Sequence, residues 1–264
     1  MNKDFNQRDK LPPGKFIAPI IGFNIDDLGK FNLAIKLLKE SLNPAVRETI
    51  FVGDNLVTWN RNLSFIRDPF YSNLFYDENL CATEKSIIWR TYILLYFAEQ
   101  ALTIDGHYLE LGCYRGTTAE SLLKKCDLNK YEKKYYLYDI FEWEEGSENH
   151  ELPEHKNSKM YDNVVKRFSG YENVYVVPGH VPDSFENAFP NEIAFAHIDM
   201  NNASAEAKAL DLILPRLSKN GYIIFDDYGW WAYSSQKKAL DPIAEKYGTS
   251  ILELPTGQGL LIKN

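Results

Sequence analysis

Five carboxylates stand where they could act together. Glu110 lies in the apolar run Tyr108-Leu-Glu-Leu-Gly112, Asp139 closes Tyr135-Tyr-Leu-Tyr-Asp139, and Asp199 closes Ile193-Ala-Phe-Ala-His-Ile-Asp199. Asp226 and Asp227 close Tyr222-Ile-Ile-Phe-Asp-Asp227. Short apolar runs bounded by turn residues read as buried strands, which puts these acids at strand ends. A single one is an ordinary turn residue. Several aimed at one crevice repel each other unless a cation or a hydrogen-bonding ligand offsets them. Adjacent Asp226 and Asp227, with Asp199 ending a neighbouring strand, offer hard oxygen ligands suited to Mg²⁺. A metal there would lower the pKa of a bound hydroxyl. Without one, Asp199 or a histidine would serve as general base.

Asp139 ends the strand after the one holding Glu110, where a carboxylate can accept two hydrogen bonds from a ribose diol. The glycines between them run Glu110-Leu-Gly112-x-x-x-Gly116. This lacks the first two closely spaced glycines of Gly-x-Gly-x-x-Gly and so disfavours a nicotinamide site. Gly112 and Gly116 permit close approach of a ligand to the backbone, and the helix that follows presents unpaired N–H groups. Glu110 at the mouth of the turn would repel a phosphate but would welcome an ammonium group or ribose hydroxyls.

The elements that position these residues alternate. Strands are expected at 107–111, 135–139, 174–177, 193–199 and 222–225, with a closing hairpin of 251–254 and 260–262. Between them the spacing predicts helices from about 117, over 159–168, after Ser204, and over 234–247. That order implies an α/β fold: a doubly wound, mostly parallel seven-stranded sheet, last strand antiparallel, with the ligand crevice at the carboxyl ends of the strands. Gly179, His180 and Val181 follow the third strand and join the crevice.

Ahead of this domain, residues 1–82 read as an accessory element and 83–264 as the catalytic domain. Residues 1–15 form a polar tail, and Phe16–Gly22 an extended apolar segment. Asp26 or Asp27 caps a helix whose inner face is Phe31, Ala34, Ile35, Leu38 and Leu42. Residues 54–83 read as an aromatic-rich loop, either a lid over the pocket or a surface wrap. From Thr83 one long helix is expected, stopped by Asp105-Gly106.

A formal net charge of −8 argues against nucleic acid as a partner, because phosphate binding needs a concentrated basic footprint. The three cysteines, irregularly spaced, fit reduced core thiols rather than a zinc site. No apolar run reaches the roughly 18 residues of a membrane span. The expectation is therefore a cytoplasmic protein acting on a small molecule, with a homo-oligomer left open. His197 reads as a core residue. His150 and His155 sit in an insertion, 142–159, with six glutamates; His150 is the catalytic choice if that insertion folds over the crevice.

With these motifs in order, including Asp139-Ile-Phe-Glu142, His197-Ile-Asp199 and Ile224-Phe-Asp-Asp-Tyr-Gly229, the chain resembles class I S-adenosylmethionine-dependent methyltransferases. The sugar O-methyltransferases that act on the macrolides macrocin and mycinamicin look most similar. The resemblance implies a cofactor-binding set of Glu110, Gly112, Tyr114, Gly116, Thr117, Asp139, Ile140, Gly179, His180, Val181 and Asp199, with Glu110 beside the cationic sulfonium cofactor. It implies Mg²⁺ on Asp199, Asp226 and Asp227, and methyl transfer to a hydroxyl of a sugar, a sugar nucleotide or a natural-product precursor. In one place the chain departs from that family: Asn201 stands where the relatives carry a second acid. Two other readings are an NAD(P)-linked oxidoreductase and a catalytically silent assembly protein of the same fold.

Overall fold

The computed structural model describes residues 24–143 and 153–264. It divides into two compact units, Met1–Tyr92 and Ile93–Asn264. No helix among the described residues is long and apolar enough to cross a membrane.

In the first unit, helix α1 (Leu28–Ser41) is capped by Asp27, whose side chain accepts from the Lys30 N–H at 2.9 Å. None of its residues is buried. Phe31, Ile35, Leu38 and Leu42 are half-buried, but Ala34 of the expected inner face is exposed. Strands β1 (Phe51–Gly53) and β2 (Leu56–Thr58) form a hairpin across Asp54 and Asn55. Both turn residues have φ above +50°, as a two-residue turn that matches strand twist requires. The buried Arg90 guanidinium grips both oxygens of Asp54, at 2.5 and 2.9 Å.

Residues 54–83, read from composition as a loop forming either a lid or a wrap, are not loop throughout. They fold into β2 and helices α2 (Ser64–Arg67), α3 (Pro69–Tyr76) and the start of α4 (Ala82–Ser86). Phe65 stacks on Tyr92 with ring centroids 4.6 Å apart and also meets Trp89 and Tyr71. Helices of four to eight residues complete too few turns to show a 3.6-residue period, which is why composition alone read as loop. The long helix expected from Thr83 is likewise two, α4 and α5 (Ile88–Gln100), separated at Ile87.

The second unit is built on a seven-stranded sheet. Its strands are β3 (His107–Leu111), β4 (Tyr135–Asp139), β5 (Val174–Pro178), β6 (Ile193–Ile198), β7 (Leu217–Phe225), β8 (Leu252–Glu253) and β9 (Gly259–Ile262). They lie in the order β5-β4-β3-β6-β7-β9-β8. β3 to β7 are parallel, and β9 runs antiparallel to both of its neighbours. The crossover helices are α6 (Thr117–Lys125), α7 (Met160–Phe168) and α8 (Ala203–Ile213), followed by α9 (Ser234–Lys246).

Each sheet face is covered, which explains why the strands read as continuous apolar runs rather than alternations. On one face Leu109, Leu111, Ala196, Ile198, Ile223 and Phe225 pack with Leu210, Ile213 and Leu214 of α8 and its following turn, and with Leu240 and Ala244 of α9. On the other, the Tyr108 hydroxyl donates to the Ala98 carbonyl of α5 at 2.6 Å. β7 starts at Leu217, five residues before its expected start, because Ser218-Lys-Asn-Gly221 is polar at the outset of the strand. The cap expected near Ser204 is Asn202, its side chain accepting from the Ala205 N–H at 2.9 Å.

Candidate active site

The chain leaves β3 outward to β4 and β5, then returns to place β6 and β7 on the opposite side. The order therefore reverses between β3 and β6, and the carboxyl ends of these two strands part to form a crevice. Gly112 sets its width. With φ at +87°, a Cβ there would lie 1.9 Å from the Asp199 carbonyl oxygen, so the two strand ends approach as closely as glycine alone allows.

The cleft is lined by Gly112 and Tyr114 after β3, by Tyr138, Asp139 and Ile140 at the end of β4, and by Gly179, His180 and Val181 after β5. Asp199, Met200, Asn201, Asn202 and Ala205 line the β6 side, and His155 reaches it from the insertion. All but three of the cofactor-binding residues expected from the sequence are brought together here. Gly116 is the left-handed N-cap of α6, and a Cβ on it would meet the Phe168 ring at 2.6 Å, so it serves helix packing. Thr117 opens α6 beside it and does not line the cleft.

Glu110 is the clear correction. It is 1% exposed and absent from the lining. One oxygen accepts from the Tyr135 hydroxyl at 2.9 Å, and the other lies 3.1 Å from His197 Nδ1. A carboxylate buried this way is not free to face a sulfonium; it belongs to the sheet beneath the crevice. A residue on a strand covered on both faces gives no alternation from which its side could be read.

Asp139 ends β4 and lines the cleft. Its Oδ2 accepts from the Tyr114 N–H and its Oδ1 from the Phe141 N–H, each at 2.7 Å. Burial pushes this carboxyl above the ordinary range, and the two N–H bonds pull part of the way back. The Tyr114 ring meets His155 edge-on, centroids 5.7 Å apart. His150, the catalytic choice of the sequence reading, lies outside the described residues. Within the same insertion it is His155 that lines the cleft. Tyr138 and the loop from Met200 to Ala205 also went unpredicted, although both adjoin acids that were named.

On the far wall, carboxylate oxygens of half-buried Asp199, Asp226 and Asp227 lie within 4.8 Å of one another. The Asp199 N–H donates to the Leu111 carbonyl at 2.8 Å and the Asp226 N–H to Ile198 at 3.0 Å, so the sheet itself sets their spacing. Gln258 reaches Asp226 Oδ1 at 3.5 Å. Three hard oxygen donors at this separation fit a divalent cation such as Mg²⁺. Asn201 lines the cleft but stands outside the acid set.

His197 lies beneath these acids, its Nε2 3.8 Å from Asp226 Oδ1. Burial alone would lower the pKa of His197, but the Asp226 and Glu110 carboxylates on either side outweigh it and raise it to about 10. Behind the cluster lies buried Glu206, whose Oε1 accepts from Gln236 Nε2 at 3.2 Å and from the Met200 N–H at 3.3 Å. Burial pushes its carboxyl up to about 8.

Residues 109–228 match the sequence family described as "Methyltransferase domain", a span that runs from β3 through the acid cluster. The chain carries a region similar to a methyltransferase domain, on a Rossmann-like sheet. It is 26% identical over 184 residues to 8-demethyl-8-(2,3-dimethoxy-alpha-L-rhamnosyl)-tetracenomycin-C 4'-O-methyltransferase of Streptomyces olivaceus, a match covering 60% of this chain and 70% of that protein. In fold it is similar to the O-methyltransferase NovP, with TM-score 0.55 and 19% identity over 67% of this chain and 80% of that one. It is also similar to the calicheamicin methyltransferase CalS11, with TM-score 0.52 and 15% identity over 73% and 89%.

Proposed function

We propose that the protein methylates a hydroxyl of a sugar, carried on a nucleotide or on a natural-product precursor, with Mg²⁺ assisting. The observation that carries this reading is the pairing of two features across one crevice: a ribose-type acid, Asp139, on one wall and the Asp199, Asp226 and Asp227 cluster on the other. The acceptor class is supported by the relative from Streptomyces olivaceus, whose name describes methylation of a sugar hydroxyl. Under the same proposal residues 83–264 are the catalytic domain and 1–82 an accessory segment.

Asp139, its orientation fixed by the Tyr114 and Phe141 N–H groups, accepts from the donor's ribose hydroxyls. Gly112, Gly179, His180 and Val181 leave backbone surface against which the nucleoside packs. Asp199, Asp226 and Asp227 would hold Mg²⁺, which when bound lowers the pKa of a neighbouring hydroxyl. Asp199 faces both the donor cleft and the acid cluster, so it takes the acceptor's hydroxyl proton. The acceptor oxygen forms its bond to the methyl carbon as the carbon–sulfur bond breaks; the electron pair stays on sulfur, leaving S-adenosylhomocysteine and a methyl ether. Holding donor and acceptor in line accounts for much of the acceleration such a transfer needs.

The match to a methyltransferase family argues against the nicotinamide alternative, which the missing glycines already disfavoured. Calorimetry separates the two: the proposal expects binding of S-adenosylhomocysteine and none of NAD(P). Binding of NAD(P) without S-adenosylhomocysteine would overturn it.

A further inference from the structure

Beneath the crevice a line of polar side chains crosses four strands. Tyr135 on β4 donates to Glu110 on β3, Glu110 meets His197 on β6, and His197 Nε2 points toward Asp226 at the end of β7, 3.8 Å from its Oδ1. Glu110 and His197 are register partners on adjacent strands, and His197 is the partner of Ile224, two residues before Asp226. His197 is 3% exposed and, like Tyr135 and Glu110, does not line the cleft.

Neither Glu110 nor His197 has a part in the chemistry above, yet their burial is costly. A buried polar group is tolerated where it is hydrogen-bonded, and the contact between Glu110 and His197 provides for Nδ1 alone. Nε2 is fully buried and makes no hydrogen bond, although a buried polar nitrogen normally finds a partner. A gap of 3.8 Å is beyond hydrogen-bond reach. The unpartnered nitrogen is aimed at the acid cluster, where three carboxylates converge. Carboxylates that bind metals are commonly held by just such outer partners.

We propose that His197, its ring fixed by Glu110, is the positioning residue that orients Asp226 within the acid cluster for a divalent cation. Tyr135 anchors the far end of the line. The inference rests on the reading of Asp199, Asp226 and Asp227 as a metal site, and it assigns Glu110 a role on the metal side of the crevice rather than the donor side.

The test uses the full chain and Mn²⁺ as the probe, with bound and free ion distinguished by electron paramagnetic resonance. His197→Gln and Glu110→Gln are compared with the wild type, and calorimetric binding of S-adenosylhomocysteine reports whether the crevice is intact. The expected result is Mn²⁺ affinity lowered about 10- to 100-fold in His197→Gln, and by a smaller factor in Glu110→Gln, with S-adenosylhomocysteine binding kept. Wild-type Mn²⁺ affinity in variants that bind S-adenosylhomocysteine would overturn the positioning role and leave the metal reading standing. A wild-type chain that takes up no Mn²⁺ would overturn the metal reading itself, and this inference with it. Should His197→Gln fail to fold, the isosteric Glu110→Gln decides; loss of folding in both would make the line purely structural and overturn the proposal.

Discussion

The Tyr114 backbone N–H donates to Asp139 Oδ2 at 2.7 Å, tying the turn after β3 to the acid that ends β4. That bond and its counterpart from Phe141 N–H fix the carboxylate before any ligand arrives. Replacing Asp139 with Asn turns one acceptor oxygen into an NH₂ that must face a backbone donor. A buried donor left unsatisfied costs about 1–3 kcal/mol. Asp139→Asn is therefore expected to weaken S-adenosylhomocysteine binding by at least about tenfold, measured by calorimetry, with an unchanged fold by circular dichroism.

Gly112→Ala should damage the architecture rather than the chemistry. Its Cβ would sit 1.9 Å from the Asp199 carbonyl oxygen at a φ of +87°, and backbone on both strands would have to move. A loss of about 3 kcal/mol or more is expected, in the range of severe core substitutions. Urea denaturation checks it, and a stability within about 0.5 kcal/mol of wild type would show the strand ends to be more pliant than the structure implies.

Buried Glu206 gives a pH dependence of defined sign. Its folded pKa, about 8, stands above its ordinary value of 4.5. The folded state thus keeps a proton that the unfolded chain has released, and this residue's contribution to stability falls as pH rises from about 4.5 to 8. Glu206→Gln has no such proton to lose. Relative to wild type the variant should gain stability steadily across that window, by up to about 1 kcal/mol per pH unit, and the difference should level off above it. Parallel melting curves for the two proteins across roughly pH 5 to 8 would contradict the assignment.

Asp226→Ala separates the metal from the donor. Turnover that depends on Mg²⁺ should be abolished, while S-adenosylhomocysteine affinity stays within a few-fold of wild type, because Asp226 does not line the donor cleft. Full wild-type activity in the presence of a chelator would argue that the acid cluster acts without a metal.

How much of this was legible in the sequence follows from how each residue is surrounded. The strands ending in Asp139, Asp199 and Asp226-Asp227 are short apolar runs stopped by acids, so both the sheet and the acid cluster could be read directly. Glu110 was placed at the crevice because it shares a strand with Gly112, but a strand covered on both faces hides which side a residue takes. His197 looked like a core histidine because the partners that make it more than that, Glu110 and Asp226, come from other strands 87 residues upstream and 29 downstream. The short helices of 54–83 lack the length to show a period, and the glutamate-rich insertion has no pattern from which the place of His155 at the cleft could be read.

The central claim is methyl transfer to a sugar hydroxyl, and one incubation tests it most directly. The full chain is mixed with S-adenosylmethionine carrying a labelled methyl group, Mg²⁺ and a pool of sugar nucleotides, and the products are resolved by mass spectrometry. The account predicts a sugar nucleotide that has gained one labelled methyl group on oxygen, formed by the wild type and lost in Asp199→Asn. Label appearing only on nitrogen or carbon of an added acceptor, or a sugar nucleotide methylated equally well by Asp199→Asn, would contradict it.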